Sequence, residues 1–249
     1  MKIFNYLKSE MWDGFSVLEK LFMWGMVLLQ ILVYIATPDT PIGIICGIAG
    51  CICVVLTAKG RLSSYLFNFI QMITYMVICW DAALYLEFGE QVFYFIACIF
   101  GVFFWKNNMS KNEDGSSQVE TKKFKPWQWV ATIGATIFGT VSLGYFGDVV
   151  LGSTLSYLDA TTVALAIIAQ LLMIWRYREQ WAIWIAIDVF SLIMFIILNN
   201  WSMVAMYVAW TINAFYGWYN WTKLNKKTEW RGTRTNCDLF DDALGVEHV

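Results

Sequence analysis

The sequence predicts an all-α integral membrane fold of eight transmembrane helices. Three observations predict it: a composition too apolar for a soluble core, eight apolar runs of bilayer length, and basic residues confined to alternate connections. The 249 residues are 59% hydrophobic and 14% charged, with a mean hydropathy of +0.55. One soluble core of this length cannot bury so much apolar surface, so lipid is the expected solvent. A bilayer's hydrocarbon core is about 30 Å thick and a helix rises about 1.5 Å per residue, so a span needs roughly 17 to 25 apolar residues. Such runs occupy 20–36, 42–58, 63–83, 88–105, 127–147, 157–175, 181–198 and 200–221. A soluble bundle would need a polar stripe on every helix, and Phe190 to Leu198 has none.

The cations set the orientation, because Lys and Arg are retained on the cytoplasmic side. Lys2, Lys8 and Lys20 precede or open the first span, and Lys59 and Arg61 fill the second connection. Lys106, Lys111, Lys122, Lys123 and Lys125 fill the fourth connection, and Arg176 and Arg178 the sixth. Lys223, Lys226, Lys227, Arg231 and Arg234 follow the last span, which accounts for all 17 basic residues. The connections around Pro38 to Pro41, Leu86 to Glu90, Asp148 to Ser156 and Asn199 to Asn200 carry none. An odd number of spans would destroy this alternation, so both termini are expected in the cytoplasm.

Composition also excludes functions. A net charge of -2 offers no basic excess for nucleic acid. The one histidine, His248, stands in the tail, so neither a His-based triad nor a His-ligated metal can form inside the membrane. Cys46, Cys51, Cys53, Cys79 and Cys98 lie in apolar runs and Cys237 in a polar tail, which reads as small core residues rather than a disulfide framework. No Gly-rich loop ends in Gly-Lys-Ser/Thr, so ATP hydrolysis is not expected. The opening MKIFNYLKSEMWDGF mixes acids with lysines and lacks a small-residue cleavage site, unlike a cleaved signal peptide. No cofactor is expected.

Sliding the chain on itself by 116 residues lays Gly101 on Gly217 and Trp105 on Trp221, a shared Gly-x-x-x-Trp. The same offset lays Tyr65 on Trp181, Tyr85 on Trp201 and Phe100 on Tyr216. Spans two to four therefore correspond to spans six to eight. Three is odd, so a direct repeat keeps its topology only if one helix intervenes, and span five is that helix; this is the parallel arrangement of SWEET-type transporters. The expected units are an N-terminal segment with an extra helix (1–41), a first three-helix repeat (42–106), a flexible cytoplasmic linker (107–126), a connecting helix (127–156), a second repeat (157–222) and a cytoplasmic tail (223–249), polar and poorly ordered from Thr228 to Val249. Gly43, Gly47, Gly50, Gly134, Gly139, Gly144 and Gly217 are expected at close helix contacts.

Polar groups inside the spans mark a candidate site. An ionised carboxylate at the bilayer centre costs about 2.5–3.5 kcal/mol even on lenient scales. Asp188 is the acid set well inside a span, and Trp181, Trp184 and Asp188 recur at i, i+3 and i+7 on one helical face. An indole there could stack on a ring while the carboxylate accepts from hydroxyls; Trp181 could equally be an interfacial belt residue beside Arg178. The related helix carries Asn68, Gln71 and Tyr75, span six carries Gln170, and span eight carries Trp210, Asn213 and Gly217 with Tyr216 alongside. Each amide alone reads as an interhelical hydrogen bond, but transporters place solutes near the midplane at a repeat interface, where these groups converge. The set suits a neutral or weakly cationic ring bearing hydroxyls.

WAIWIAID, LTAKG at Leu56 to Gly60, YLDATTVALAIIAQ and the closing YGWYNW resemble the PnuC family of bacterial vitamin transporters over residues 43–222. The family commonly has Tyr three residues after the Asp of its Trp-x-x-Trp-x-x-x-Asp run; here that position is Ser191. The resemblance implies a SWEET-like 3+1+3 fold in the bacterial inner membrane, facilitated diffusion of nicotinamide riboside trapped by cytoplasmic phosphorylation, and a homotrimer. It extends to thiamine or riboflavin as solute. An ion or proton channel would need charged rings or an acid relay, which one Asp188 does not provide. A membrane-embedded enzyme lacks the histidine and the paired carboxylates.

Overall fold

Eight long helices follow one another among the described residues of the computed structural model, which are 10–36, 40–81, 85–112, 116–151, 156–197, 199 and 201–244. They are α1 (Val17–Ala36), α2 (Pro41–Ala58), α3 (Ser64–Asp81), α4 (Tyr85–Lys106), α5 (Pro126–Leu151), α6 (Ser156–Ile174), α7 (Gln180–Ile197) and α8 (Trp201–Leu244), with a short antiparallel hairpin, β1 (Met109–Lys111) and β2 (Ser117–Val119), between α4 and α5. The expectations for Lys2, Lys8 and His248, for the connections at Pro38 and Asn200, and for the side chain of Cys237 fall outside the described residues.

Local chemistry starts several of these helices. Ser16 and Glu19 form a capping box at α1: Glu19 N donates to Ser16 Oγ (3.3 Å) and Ser16 N to a Glu19 carboxylate oxygen (2.7 Å). Thr40 caps α2 by accepting from Gly43 N (3.2 Å), with Pro41 in the first turn. Val17–Ala36, Pro41–Ala58, Phe88–Lys106 and Pro126–Val149 are long and apolar enough to cross a membrane; Ala160–Ile174 and Gln180–Ile193 are shorter apolar helices. Leu18 and Ile35 on α1 and Val130 and Phe138 on α5 stand largely exposed, as lipid-facing side chains do and water-facing ones do not.

The 116-residue offset reappears in the backbone. At the end of α2, Arg61 N donates to Leu56 O (3.0 Å) and Gly60 N to Thr57 O (2.9 Å); at the end of α6, Tyr177 N donates to Leu172 O (2.9 Å) and Arg176 N to Met173 O (3.0 Å). Both are Schellman caps, with left-handed residues Gly60 (φ 70°) and Arg176 (φ 69°) 116 apart. Helices α2, α3 and α4 pack in succession, as do α6, α7 and α8, and α4 on α6 and α2 on α8 join the two groups. Helix α1 lies against α2 as α5 lies against α6.

Two expectations change. The segment after Lys106 is not a flexible linker, because its polar backbone finds partners on both capped turns: Val119 N donates to Gly60 O (2.9 Å), Lys122 N to Arg176 O (2.7 Å) and Arg178 N to Lys122 O (3.0 Å). Arg176 donates in addition to Glu120 O (3.1 Å); burial lowers the pKa of its guanidinium, with Glu120 opposing that shift. The backbone does not leave its helix at Thr228, since α8 runs to Leu244. It carries its own anchor, because Asn225 donates to Thr121 O (3.1 Å) in the linker.

The glycine expectation holds at four of its positions, Gly139 among them, where a Cβ would meet Ala164 Cβ at 3.1 Å. A Cβ on Gly47 would meet Gln30 at 2.3 Å, on Gly144 the Tyr157 ring at 2.4 Å, and on Gly217 the Trp181 ring at 2.5 Å, whereas Gly134 has nothing within 4 Å. Cys51, Cys53, Cys79 and Cys98 are buried free thiols, as small core residues would be, and Cys46 is half-buried.

Candidate functional site

One face of α4 organises the interior. Gln91, Tyr94, Cys98, Gly101 and Trp105 recur every three or four residues and point inward together. Shifted by 116, the face becomes Tyr207, Trp210, Ala214, Gly217 and Trp221 on α8. At the end bearing Lys59, Arg61, Arg176 and Arg178 the two faces meet in an aromatic plug. Trp105 and Trp221 lie 5.6 Å apart, with Tyr65 edge-on to Trp105 at 5.1 Å and Trp181 edge-on to Trp221 at 5.9 Å. Trp105 Nε1 donates to Met173 O (3.0 Å) and Trp221 Nε1 to Thr57 O (2.9 Å). Residues 57 and 173 are themselves 116 apart, so each half reaches across to the matching carbonyl of the other.

Toward the middle of the bundle, Cys98 collects two of the expected residues. Asn68 Nδ2 on α3 approaches Cys98 Sγ at 3.3 Å and Gln170 Nε2 on α6 at 3.1 Å. Gln170 is 6% exposed. Trp184 on α7 packs both against the cluster holding Cys98 and against the one holding Ala169, the neighbour of Gln170. One turn further along α7, Asp188 is 5% exposed, close to Tyr207 of α8, whose hydroxyl bonds Ser191.

The remaining expected residues lie around this centre. Gln71 on α3 is half-buried, and its backbone carbonyl accepts from Cys46 Sγ (3.6 Å) and Thr74 Oγ1 (2.9 Å). Asn213 donates to Val54 O (3.2 Å), stitching α8 to α2, and Trp210 lies edge-on to Tyr207 at 5.3 Å. Trp181 is a member of the aromatic plug. Tyr216 points away, donating to the Glu19 carboxylate, which also pairs with Lys59 at 2.9 Å. Among the described residues, Trp181 Nε1, Trp210 Nε1 and Asn213 Oδ1 are buried without a partner.

The structure adds Cys98, Tyr94 and Tyr207 to the polar interior. Apolar letters hid Cys98, yet the spacing of residues 91, 94, 98, 101 and 105 was the signal that marks the face. The Glu19–Lys59–Tyr216 contact had no signal, because its members lie 40 and 197 residues apart.

Apolar helices facing outward around a buried interior of amides, indoles and one carboxylate define a membrane transporter rather than a soluble binding module. A search for related proteins agrees. The nicotinamide mononucleotide transporter family matches residues 40–223, close to the 43–222 that carry the resemblance, and the chain belongs to that family. It is 36% identical to the nicotinamide riboside transporter PnuC of Haemophilus influenzae, over 89% of this chain and 97% of the relative. It is 31% identical to the PnuC of Neisseria mucosa, over 88% and 86%. The crystal structure of the vitamin B3 transporter PnuC superposes with a TM-score of 0.78 at 30% identity, covering 90% of this chain and 98% of that one.

Proposed function

We propose that this chain carries nicotinamide riboside by facilitated diffusion across the bacterial inner membrane, and that cytoplasmic phosphorylation of the solute keeps uptake running downhill. The observation that carries the reading is the convergence of Asn68 and Gln170 on Cys98 from opposite halves of the bundle, with Trp184 packed beside them. Riboside hydroxyls can exchange hydrogen bonds with the amides and Asp188, and the pyridinium ring can stack on Trp184. The orphaned Trp210 Nε1 and Asn213 Oδ1 are a further buried donor and acceptor awaiting a partner. That its relatives in Haemophilus influenzae and Neisseria mucosa are nicotinamide riboside transporters supports the riboside. A carboxylate at the site also disfavours the phosphorylated form, because a phosphate dianion would be buried beside Asp188.

The wider arrangement belongs to the same proposal. Eight spans form a SWEET-like 3+1+3 core, α2–α4 and α6–α8 joined by α5, with α1 appended and both termini cytoplasmic. Alternation of the basic residues and the 116-residue correspondence support it. A homotrimer rests on the resemblance alone. Calorimetric titration of the detergent-purified protein with nicotinamide riboside, nicotinamide mononucleotide, thiamine and riboflavin tests the solute. Riboside affinity lowered about tenfold or more in Asp188→Ala and Trp184→Ala is expected. Binding of thiamine or riboflavin without the riboside would change the solute.

A further inference from the structure

We infer that residues 117–122 form a strap that bolts the two halves of the bundle together beside the aromatic plug, and that release of Thr121 from α8 lets the plug open. The inference rests on reading the chain as a transporter whose halves, α2–α4 and α6–α8, move against each other around a central solute. It does not depend on which vitamin is carried. The plug is where such a motion must break contacts. Trp105 Nε1 of one half donates to Met173 O of the other (3.0 Å), and Trp221 Nε1 returns to Thr57 O (2.9 Å), with Asn220 Nδ2 on Ala58 O (2.8 Å) beside it.

Six consecutive residues cross the same seam. The first three hold the turn after α2: Ser117 O accepts from Arg61 Nη1 (3.1 Å), Gln118 Nε2 donates to Lys59 O (3.0 Å) and Val119 N to Gly60 O (2.9 Å). The handover falls within Glu120, whose N donates to Asn108 O after α4 (2.9 Å) and whose O accepts from Arg176 Nη1 after α6 (3.1 Å). Lys122 then exchanges backbone bonds with Arg176 and Arg178 (2.7 and 3.0 Å). Thr121 is the bolt. It is 2% exposed, its Oγ1 donates to Trp221 O (2.9 Å) and its carbonyl accepts from Asn225 Nδ2 (3.1 Å). Trp221 is the residue whose indole closes on Thr57 and Trp105, so Thr121 holds the backbone of the plug itself. Parting the halves at this end pulls on a strap bonded to both, and the two α8 bonds to Thr121 must yield for Trp221 to leave. Each is a buried neutral hydrogen bond of the closed state, so removing one should raise the open population about fivefold.

Cys98 is a built-in reporter, fully buried about two turns behind Trp105 on α4. The experiment follows its modification by a membrane-impermeant methanethiosulfonate in the full chain with the other cysteines changed to Ala, in inverted and in right-side-out membrane vesicles. No solute is added, so failure of the riboside reading leaves this readout untouched. Thr121→Val, which keeps the side-chain shape, and Asn225→Leu should each speed labelling about fivefold in inverted vesicles, where the plug faces the reagent, without speeding it in right-side-out ones. Thr121→Ser retains the hydroxyl and Lys123→Gln alters an exposed residue of the same linker; both should label at the unsubstituted rate. A rise confined to right-side-out vesicles would support the strap while reversing the orientation of the chain. Unchanged labelling in both Thr121→Val and Asn225→Leu would overturn the inference, as would an equal rise from both faces, which is the mark of general loosening rather than of a gate.

Discussion

Gly217→Ala should loosen the aromatic plug, and its size follows from the geometry. The added methyl would lie 2.5 Å from Trp181 Cε2 and 2.6 Å from Cδ2 and Cζ2. Ordinary contact requires about 3.5–4.0 Å between carbons, so the indole must retreat by roughly 1 Å. It cannot do so freely, since Trp181 is edge-on to Trp221 at 5.9 Å and Trp221 is in turn packed on Trp105 at 5.6 Å. Overpacking of this kind costs about 1–3 kcal/mol, and the better helix propensity of Ala over Gly returns up to about 1 kcal/mol. The net is a destabilisation of about 1–2 kcal/mol, which for a chain of this size lowers Tm by roughly 2–8 °C. The assay is the fraction of detergent-purified protein that stays monodisperse after heating. Trp181→Phe in the same chain makes room for the methyl, so the double variant should recover more than the sum of the singles. An unchanged or raised melting point for Gly217→Ala alone would refute the claim that the ring is wedged.

Other consequences are as open to measurement. Asp188→Asn and Trp184→Ala should each lower riboside affinity about tenfold or more by calorimetry, in protein that stays folded at the assay temperature; a folded double variant that binds normally would remove both from the site. Lys59→Met leaves Glu19 with one fewer partner in a half-buried position and should destabilise by about 2–3 kcal/mol, while Lys59→Met with Glu19→Gln should recover part of that loss, read by the same heating assay. Gly60→Ala should destabilise by about 1–2 kcal/mol, because its φ is 70° and the new methyl would meet Val119 at 3.1 Å and Leu224 at 3.2 Å. Arg176→Gly relieves the same backbone strain at the equivalent turn but removes the bond to Glu120 O, so the two effects should nearly cancel.

The sequence by itself determined the elements. Apolar run length placed seven of the eight helices to within a few residues, because a span's length is a property of contiguous letters. The eighth overran: α8 continues to Leu244, since beyond Trp221 the letters turn polar while the backbone keeps its helix. The 116-residue self-match was also visible in letters, and Gly101, Gly217, Trp105 and Trp221 marked it because each position accepts few residues: a glycine under a ring, an indole that must reach a carbonyl. Tertiary structure decided the partners. Cys98 became the meeting point of Asn68 and Gln170 because three helices bring their sulfur and amides together. Tyr216 left the candidate site for Glu19, since an ion-paired carboxylate beside it is the stronger acceptor. The linker, polar and Ser-rich, looked unstructured in sequence; its order comes from carbonyls at Gly60 and Arg176 that face outward only after α2 and α6 have capped. Such bonds depend on where distant turns come to lie, and no local pattern of letters records that.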